Sequence, residues 1–273
     1  MTFRQRHLAL PVAVAIVAGC LAPLAVLVAF SFYEVEDFDL IPAFSFRAWG
    51  ELATSATDWF LIGKAVLSGV TTTVFTALLG YPVALALTRL ATSAKGLAII
   101  VLLTPLYTGE IVRIYAWRIV LGGEGLVNTV LQGLGLIDEP LKFLLFSPFT
   151  IGLVLTYNNL PFMVLAIWVS AEMVDRRLIE AARDLGARPV DAFFRVIFPL
   201  TTPGLAAGSL TVFALSAGEM LTPSLLGGTS GATAMALVDN LFGTAFDWPL
   251  ASALALALLA TLFLVASAMA GLL

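Results

Sequence analysis

Two carboxylates, Glu110 and Glu219, stand inside long apolar stretches of the sequence. An ionisable side chain at membrane depth is costly, so it marks a functional position by default. The stretch around Glu110 also carries three aromatic residues, Tyr107, Tyr115 and Trp117. Carboxylates together with aromatic ring faces suit an organic ammonium ion, through ion pairing and cation–π attraction. These residues therefore predict a pathway for a small organic solute.

Each member of this candidate pathway also has a structural interpretation. Arg113 lies three residues after Glu110 on the same helix face, so these two side chains alternatively pair with each other. Glu219 has no Lys or Arg nearby in the sequence, and its alternative partner belongs to another helix or subunit. Tyr157, Asn158 and Asn159 lie just before Pro161, a proline that we expect to break a helix. They either line a cavity at that break or satisfy the backbone groups that the proline frees.

A second feature is the charged window, residues 172–203, which stands between two apolar segments. It holds five of the fourteen Lys and Arg residues and five of the eighteen Asp and Glu residues. A structured, charged loop between membrane segments is most simply a docking surface for a soluble partner. The alternative is an amphipathic helix that only rests on the lipid.

Spacing within the charged window predicts two helices joined by a sharp turn. The apolar face of the first helix follows the i, i+3, i+4, i+7 pattern and consists of Leu178, Ala181, Ala182 and Leu185. Gly186 then suits the left-handed conformation that ends a helix. Pro189 fits the first turn of the second helix, where the helix dipole favours Asp191. We expect Pro199 and Pro203 to redirect the chain into the next span.

Membrane helices are the elements that must position these residues. The 60% hydrophobic content, the 12% charged content and the mean hydropathy of +1.01 exclude an ordinary soluble domain, which carries about 25% charged residues. A chain of 273 residues has room for roughly five to seven spans of about 20 residues. The apolar runs are continuous and predict an all-α membrane protein with six spans, at about 8–32, 62–90, 96–118, 148–171, 204–221 and 250–272.

The distribution of Lys and Arg predicts the orientation. With the N-terminus inside, nine of the fourteen fall on the cytoplasmic side, which places both termini and the charged window in the cytoplasm. We divide the chain into residues 1–60, an N-terminal span with an acidic outer loop, and residues 61–273, the transport domain. The nine cytoplasmic residues are Arg4, Arg6, Arg89, Lys95, Arg176, Arg177, Arg183, Arg188 and Arg195.

Several kinds of site are not expected in this chain. One cysteine, Cys20, and one histidine, His7, give no Cys- or His-centred metal site and no catalytic triad. A pI near 5.0 argues against nucleic acid as a partner. No G-x-x-x-x-G-K-[ST] run occurs, so the chain has no recognisable ATP-binding loop and we expect it not to be an enzyme.

The charged window resembles the EAA loop of ABC importer permeases. The matching residues are Glu180, Ala181, Ala182, Gly186 and Pro199, while Val196 and Phe198 replace the more usual Ile and Leu. In that family the loop, here about 172–200, forms a coupling helix that seats in a cleft of a cytoplasmic ATPase. The resemblance implies the type I importer fold and assigns ATPase coupling to Glu180, Ala181, Ala182, Arg183, Asp184 and Gly186.

Further stretches resemble the spermidine/putrescine branch of these permeases, which implies a polyamine substrate and the bacterial inner membrane. They are residues 113–117, 125–128, 159–162 and 218–223. The implied partners are an ATPase dimer that binds ATP and Mg, a second permease subunit and an extracytoplasmic solute-binding protein, with no cofactor in this chain. Two alternatives remain: the same machinery for an amino-acid-like, opine or phosphonate solute, or a self-contained secondary carrier.

Overall fold

A computed structural model describes residues 17–19, 21–36 and 38–272 of the chain. The secondary structure is almost entirely helical. The elements are α1 (Val17–Phe30, Cys20 excepted), β1 (Glu34–Glu36), β2 (Asp39–Ile41), α2 (Arg47–Thr54), α3 (Ala56–Arg89), α4 (Thr92–Tyr107), α5 (Glu110–Leu121), α6 (Leu126–Gly133), α7 (Pro148–Glu172), α8 (Arg176–Asp184), α9 (Pro189–Ala192), α10 (Phe198–Ala217), α11 (Leu221–Leu226), α12 (Ala234–Gly243) and α13 (Trp248–Leu272).

Four helical segments of the described chain are long and apolar enough to cross a membrane: Ala56–Arg89, Pro148–Glu172, Pro189–Ala217 and Trp248–Gly271. The pair Thr92–Tyr107 and Glu110–Gly133 gives a fifth span if it is counted as one. The part of the predicted first span before Val17 lies outside the described residues, as do Arg4, Arg6, His7 and Cys20. The count of six and the cytoplasmic position of both termini stay predictions.

The third span is not the continuous helix that the sequence predicted. It breaks between α4 and α5, where the two parts meet at a bend of 95°. Thr108 and Gly109 have extended backbone angles at this break (ψ 132° and 139°). A β-branched residue followed by glycine has low helix propensity, which accounts for the position of the break. The bend puts Glu110 at the first position of a new helix.

Contrary to the expectation from the sequence, the prolines do not break or redirect the helices. Helix α7 runs through Pro161 without a break, and Pro199 and Pro203 lie inside one long helical segment instead of redirecting the chain. A π-helical turn, Phe193–Ile197, comes just before Pro199. Its wider winding is a common way to accommodate a proline ring that would clash with the carbonyl four residues earlier.

Three of the segments between the predicted spans contain short elements of secondary structure. The acidic loop contains a hairpin of two three-residue strands, in which Glu34 pairs with Ile41 and Glu36 with Asp39. The segment 223–249, between the fifth and sixth predicted spans, contains most of α11 and all of α12. The segment 122–136, after the third predicted span, contains the short helix α6.

The described residues form two compact units. Unit 1 comprises the described residues up to Ile62 together with Ala234–Thr261, and unit 2 comprises Gly63–Thr233 and the described residues from Leu262 onward. In unit 1, Arg47 of α2 forms ion pairs with Glu51 at 3.0 Å and with Asp247 at 2.9 Å. These pairs fix α2 against the start of α13. The division of the chain at residue 60 stays a prediction.

Unit 2 has its core where α3, α7 and α10 meet. Helices α7 and α10 approach closely because Gly204 and Gly208 present no side chain at their contact: a Cβ at Gly204 would lie 2.4 Å from the Ala166 carbonyl oxygen. Small residues at one helix face are typical of membrane helix pairs. The buried members of this core are Tyr81, Ala84, Leu87, Met163, Val164, Ile167, Leu205 and Val212.

Candidate functional site

Both ends of helix α8, in the charged window, are capped by residues that flank the helix in the sequence. At the N-terminus the Asp175 side chain accepts a hydrogen bond from the Arg177 backbone N–H at 2.9 Å. At the C-terminus, Gly186 adopts a φ of +83°. The Ala187 N–H donates to Ala182 O at 3.0 Å, and the Gly186 N–H donates to Arg183 O at 2.8 Å. This pair of bonds is the Schellman motif, which confirms the turn expected at Gly186.

The second helix of the charged window also begins as predicted. Pro189 occupies the first turn of α9, and Asp191 lies in the same turn. A groove of about 440 Å³ opens where the end of α8 meets α9 and the π-helical turn. It is lined by Ala182, Leu185, Gly186, Ala187, Asp191, Ala192, Arg195 and Val196.

Helix α8 has two different faces. The predicted apolar face is open, with Leu178 48% and Leu185 90% exposed. The opposite face carries Arg176, Ile179, Glu180 and Arg183, which line a second groove of about 330 Å³ together with residues of α3 and α7. Two residues expected to contact an ATPase, Glu180 and Arg183, thus border a groove of the chain itself. The sequence gave no signal for this second groove.

Glu110 and Glu219 come together in the structure. Glu110 begins α5, Glu219 precedes α11, and their half-buried side chains lie within hydrogen-bonding range of each other. The Glu219 carboxylate oxygen Oε1 also accepts the backbone N–H groups of Leu221 at 2.8 Å and Thr222 at 3.2 Å. Glu219 therefore caps the N-terminus of α11 as well, a structural role that the sequence analysis did not foresee.

Arg113 does not form the close ion pair expected as the alternative for Glu110. Its guanidinium is near enough to interact electrostatically with Glu110, but the part of the chain that the structure describes contains no ion pair between them within 4.0 Å. Two of its nitrogens, Nε and Nη1, are buried with no hydrogen-bond partner among the described residues. One cation thus accompanies two carboxyl groups at this site.

Only some of the candidate aromatic residues gather near this site. Trp117 of α5 and Tyr157 of α7 form an edge-to-face contact with ring centroids 5.3 Å apart. Trp117 also packs against a small core of Ile114, Val154 and Leu226, and Leu221 at the start of α11 packs against the same core. Tyr107 and Tyr115 are 87% and 49% exposed, so the structure does not bring them into this cluster.

The two asparagines before Pro161 do not satisfy the backbone carbonyl that this proline frees. Asn159 Nδ2 donates to the Leu155 carbonyl oxygen at 2.9 Å and to Ser216 Oγ at 3.2 Å, which ties α7 to α10. Asn158 is buried, and its Oδ1 has no hydrogen-bond partner among the described residues. Asn158 therefore keeps a free acceptor near the middle of α7.

Comparison with known proteins resolves the family. No family model matches the chain. It is 36% identical over 196 residues to the spermidine/putrescine transport system permease protein PotB of Haemophilus influenzae, which covers 70% of this chain and 66% of the relative. It is 31% identical over 192 residues to the molybdenum transport system permease protein ModB of Mycobacterium bovis, which covers 68% of this chain and 69% of the relative. The chain belongs to the ABC transporter permease family.

A third relative, PotB of Escherichia coli, is 37% identical over 180 residues, which is 66% of this permease and 65% of that protein. This permease thus spans just under two thirds of the length of both PotB relatives. Another relative, the inner membrane ABC transporter permease protein YdcU of Escherichia coli, is 32% identical over 211 residues. The permease is accordingly a multi-pass protein of the inner membrane.

Two solved structures share the fold of this permease. It matches a chain of the bacterial alginate ABC transporter in complex with an alginate pentasaccharide-bound periplasmic protein, with a TM-score of 0.77 over 98% of this chain and 14% identity. A second crystal structure, of a bacterial ABC transporter involved in the import of alginate, gives a TM-score of 0.71 at 16% identity. These matches confirm the ABC permease fold.

Proposed function

We propose that the chain is the permease subunit of an ATP-driven, binding-protein-dependent importer for a small organic cation of the polyamine class. The main observation behind this proposal is that the carboxyl groups of Glu110 and Glu219 lie close together. Two neighbouring carboxylates repel each other, and a cation between them relieves that repulsion. A primary ammonium has three donors and is able to bond both carboxyl groups at once.

A preference for cations agrees with the name of one relative, PotB, and disagrees with the name of another, ModB. PotB is named for spermidine and putrescine, which are cations, and ModB for molybdenum transport. An oxyanion would be repelled by two carboxylates for which Arg113 is the one neighbouring cation recorded among the described residues. The carboxyl pair therefore favours a polyamine over an anionic solute, including a phosphonate. An amino-acid-like or opine solute with a free amine is the remaining alternative.

Energy for transport comes, in this proposal, from a separate cytoplasmic ATPase dimer that binds ATP and Mg. The open apolar face of α8, with Leu178, Ala181 and Leu185, is the surface that would seat in the ATPase cleft. A capped helix transmits movement as a rigid body, because its terminal backbone groups are already bonded. A solute-binding protein outside and a second permease subunit complete the assembly, and this subunit itself is not an enzyme.

Transport in a reconstituted system tests the proposal. The chain, its cognate ATPase, second permease and binding protein are placed in proteoliposomes, and uptake of labelled spermidine, putrescine and molybdate is measured with and without ATP. We expect ATP-dependent uptake of the polyamines and none of molybdate. Uptake that continues without the ATPase would instead support a self-contained secondary carrier. Preferential uptake of an anion would contradict the role given to the carboxyl pair.

A further inference from the structure

The groove behind helix α8 carries an excess of positive charge. Three arginines line it: Arg89 at the end of α3, and Arg176 and Arg183 of α8. We call it the arginine groove. Within the described parts of the chain, none of the three has a carboxylate oxygen within 4.0 Å. Among the described residues, the one side-chain hydrogen bond recorded for these arginines runs from Arg176 Nη2 to the Thr88 carbonyl oxygen, at 3.5 Å.

The two acidic residues of the arginine groove do not cancel this charge. Glu172 is already ion-paired with Lys95 of α4, and its Oε1 also accepts the Trp168 Nε1–H at 3.2 Å. Glu180 has no ion pair within the described residues. The charged side chains that line the groove are thus three arginines and two glutamates, a net charge of +1, and the pairing of Glu172 with Lys95 leaves Glu180 as the one unpaired carboxylate among them. Such a site favours a phosphate, because a guanidinium presents donors in a fork that matches two phosphate oxygens.

The position of the arginine groove indicates where that phosphate comes from. Helix α3 ends at Arg89 and α7 ends at Glu172, and both helices are candidate spans. Residues that end a span lie at the depth of the lipid headgroups. Between the charged residues, the groove wall is apolar, with Leu85, Ile179 and Ile197. A cationic rim beside an apolar wall suits a molecule with a charged head and a hydrocarbon chain.

We propose that the arginine groove binds the headgroup phosphate of an anionic phospholipid from the leaflet on the predicted cytoplasmic side. The lipid would link Arg89 at the end of α3 with Arg176 and Arg183 of α8. It would thus add a further link between α8 and the transmembrane core, beside the hydrogen bond from Arg176 to the Thr88 carbonyl oxygen. This inference does not depend on the identity of the transported solute. Basic pockets at the cytoplasmic ends of membrane helices are suited to such headgroups.

Native mass spectrometry of the chain in detergent provides the test, with phosphatidylglycerol or phosphatidylcholine added at equal concentration. We expect phosphatidylglycerol to be retained in preference. The double variant R176Q/R183Q should weaken its binding roughly 25-fold, at about fivefold for each arginine near an anionic group. The matched control is R177Q/R188Q, which removes two arginines of the same loop that do not line the groove. Its binding should change less than twofold.

Other outcomes would overturn the proposal. Equal loss in both double variants would mean diffuse attraction to the whole loop, and equal retention of the two lipids would mean that no anionic site exists. Displacement of phosphatidylglycerol by millimolar inorganic phosphate would assign the groove to free phosphate. Melting temperatures in detergent show whether each variant is folded. In a folded variant, E180Q should raise phosphatidylglycerol retention, because it removes a negative charge from the arginine groove. Unchanged or lower retention would contradict the assignment.

Discussion

The side chains of Glu110 and Glu219 lie within hydrogen-bonding range although 109 positions separate them in the sequence (219 − 110). The contact depends on the break between α4 and α5, which lets Glu110 begin a helix, and on the end of α10, which places Glu219 before α11. Glu219 thus has an observed role, as a cap for α11, and a proposed one, as a charge for the solute.

The first prediction separates these functions by two substitutions at Glu219. E219Q keeps an oxygen that accepts the Leu221 N–H and removes the charge, whereas E219A removes both. We expect E219Q to lower polyamine uptake about tenfold or more, since a hydrogen bond to a charged group contributes about 1.5–3 kcal/mol, while the melting temperature stays near that of the wild type. E219A should lose both uptake and stability. Full uptake by E219Q would exclude Glu219 from the pathway.

The second prediction concerns the turn at Gly186. Its φ of +83° strains most residues with a Cβ and β-branched residues above all, although a Cβ there would meet no other atom within 4 Å. G186V should cost roughly 1–2 kcal/mol locally and reduce solute-stimulated ATP hydrolysis of the assembled complex. G186N is the matched control, because asparagine tolerates this conformation. If the valine variant couples as well as the asparagine variant, α8 does not need its fixed end to transmit movement.

The third prediction concerns the close packing of α7 and α10. A Cβ at Gly204 would lie 2.4 Å from the Ala166 carbonyl oxygen and 2.5 Å from Ser170 Cβ. G204A should therefore destabilise the protein by about 1–3 kcal/mol through overpacking, seen as a lower melting temperature in detergent. Gly152 of α7 has no atom within 4 Å of such a Cβ, so G152A should be neutral or slightly stabilising. Equal stability of the two variants would refute the packing account.

The fourth prediction concerns Lys64 of α3. Its ammonium donates to the carbonyl oxygens of Ser230 at 2.5 Å and Ala232 at 2.6 Å, and so holds the segment between α11 and α12. K64M removes both charge-assisted bonds, and amide hydrogen exchange of residues 228–233 should become about tenfold faster, which corresponds to about 1.4 kcal/mol. The exposed Lys142 gives the control K142M. Unchanged exchange in K64M would show that the segment is held by other contacts.

The sequence by itself was sufficient for the membrane class, the family and the architecture of the charged window. Composition determines the membrane class, because a chain with so few charged residues lacks the charged surface of a soluble domain. The turn at Gly186 and the start of α9 at Pro189 were predictable because both follow from local backbone preferences. Capping depends on neighbours within a few residues, so no tertiary information is needed.

Tertiary structure alone decided the partners of the charged residues and the effects of the prolines. Sequence analysis suggested Arg113 as a partner of Glu110, because helical spacing identifies only the neighbours that lie on the same helix. The structure gives Glu219, because packing of α5 against α11 brings distant residues together. Likewise Pro161 was expected to break α7. A helix held on several sides by neighbours tolerates the loss of one hydrogen bond, and only the packing shows that those neighbours are present.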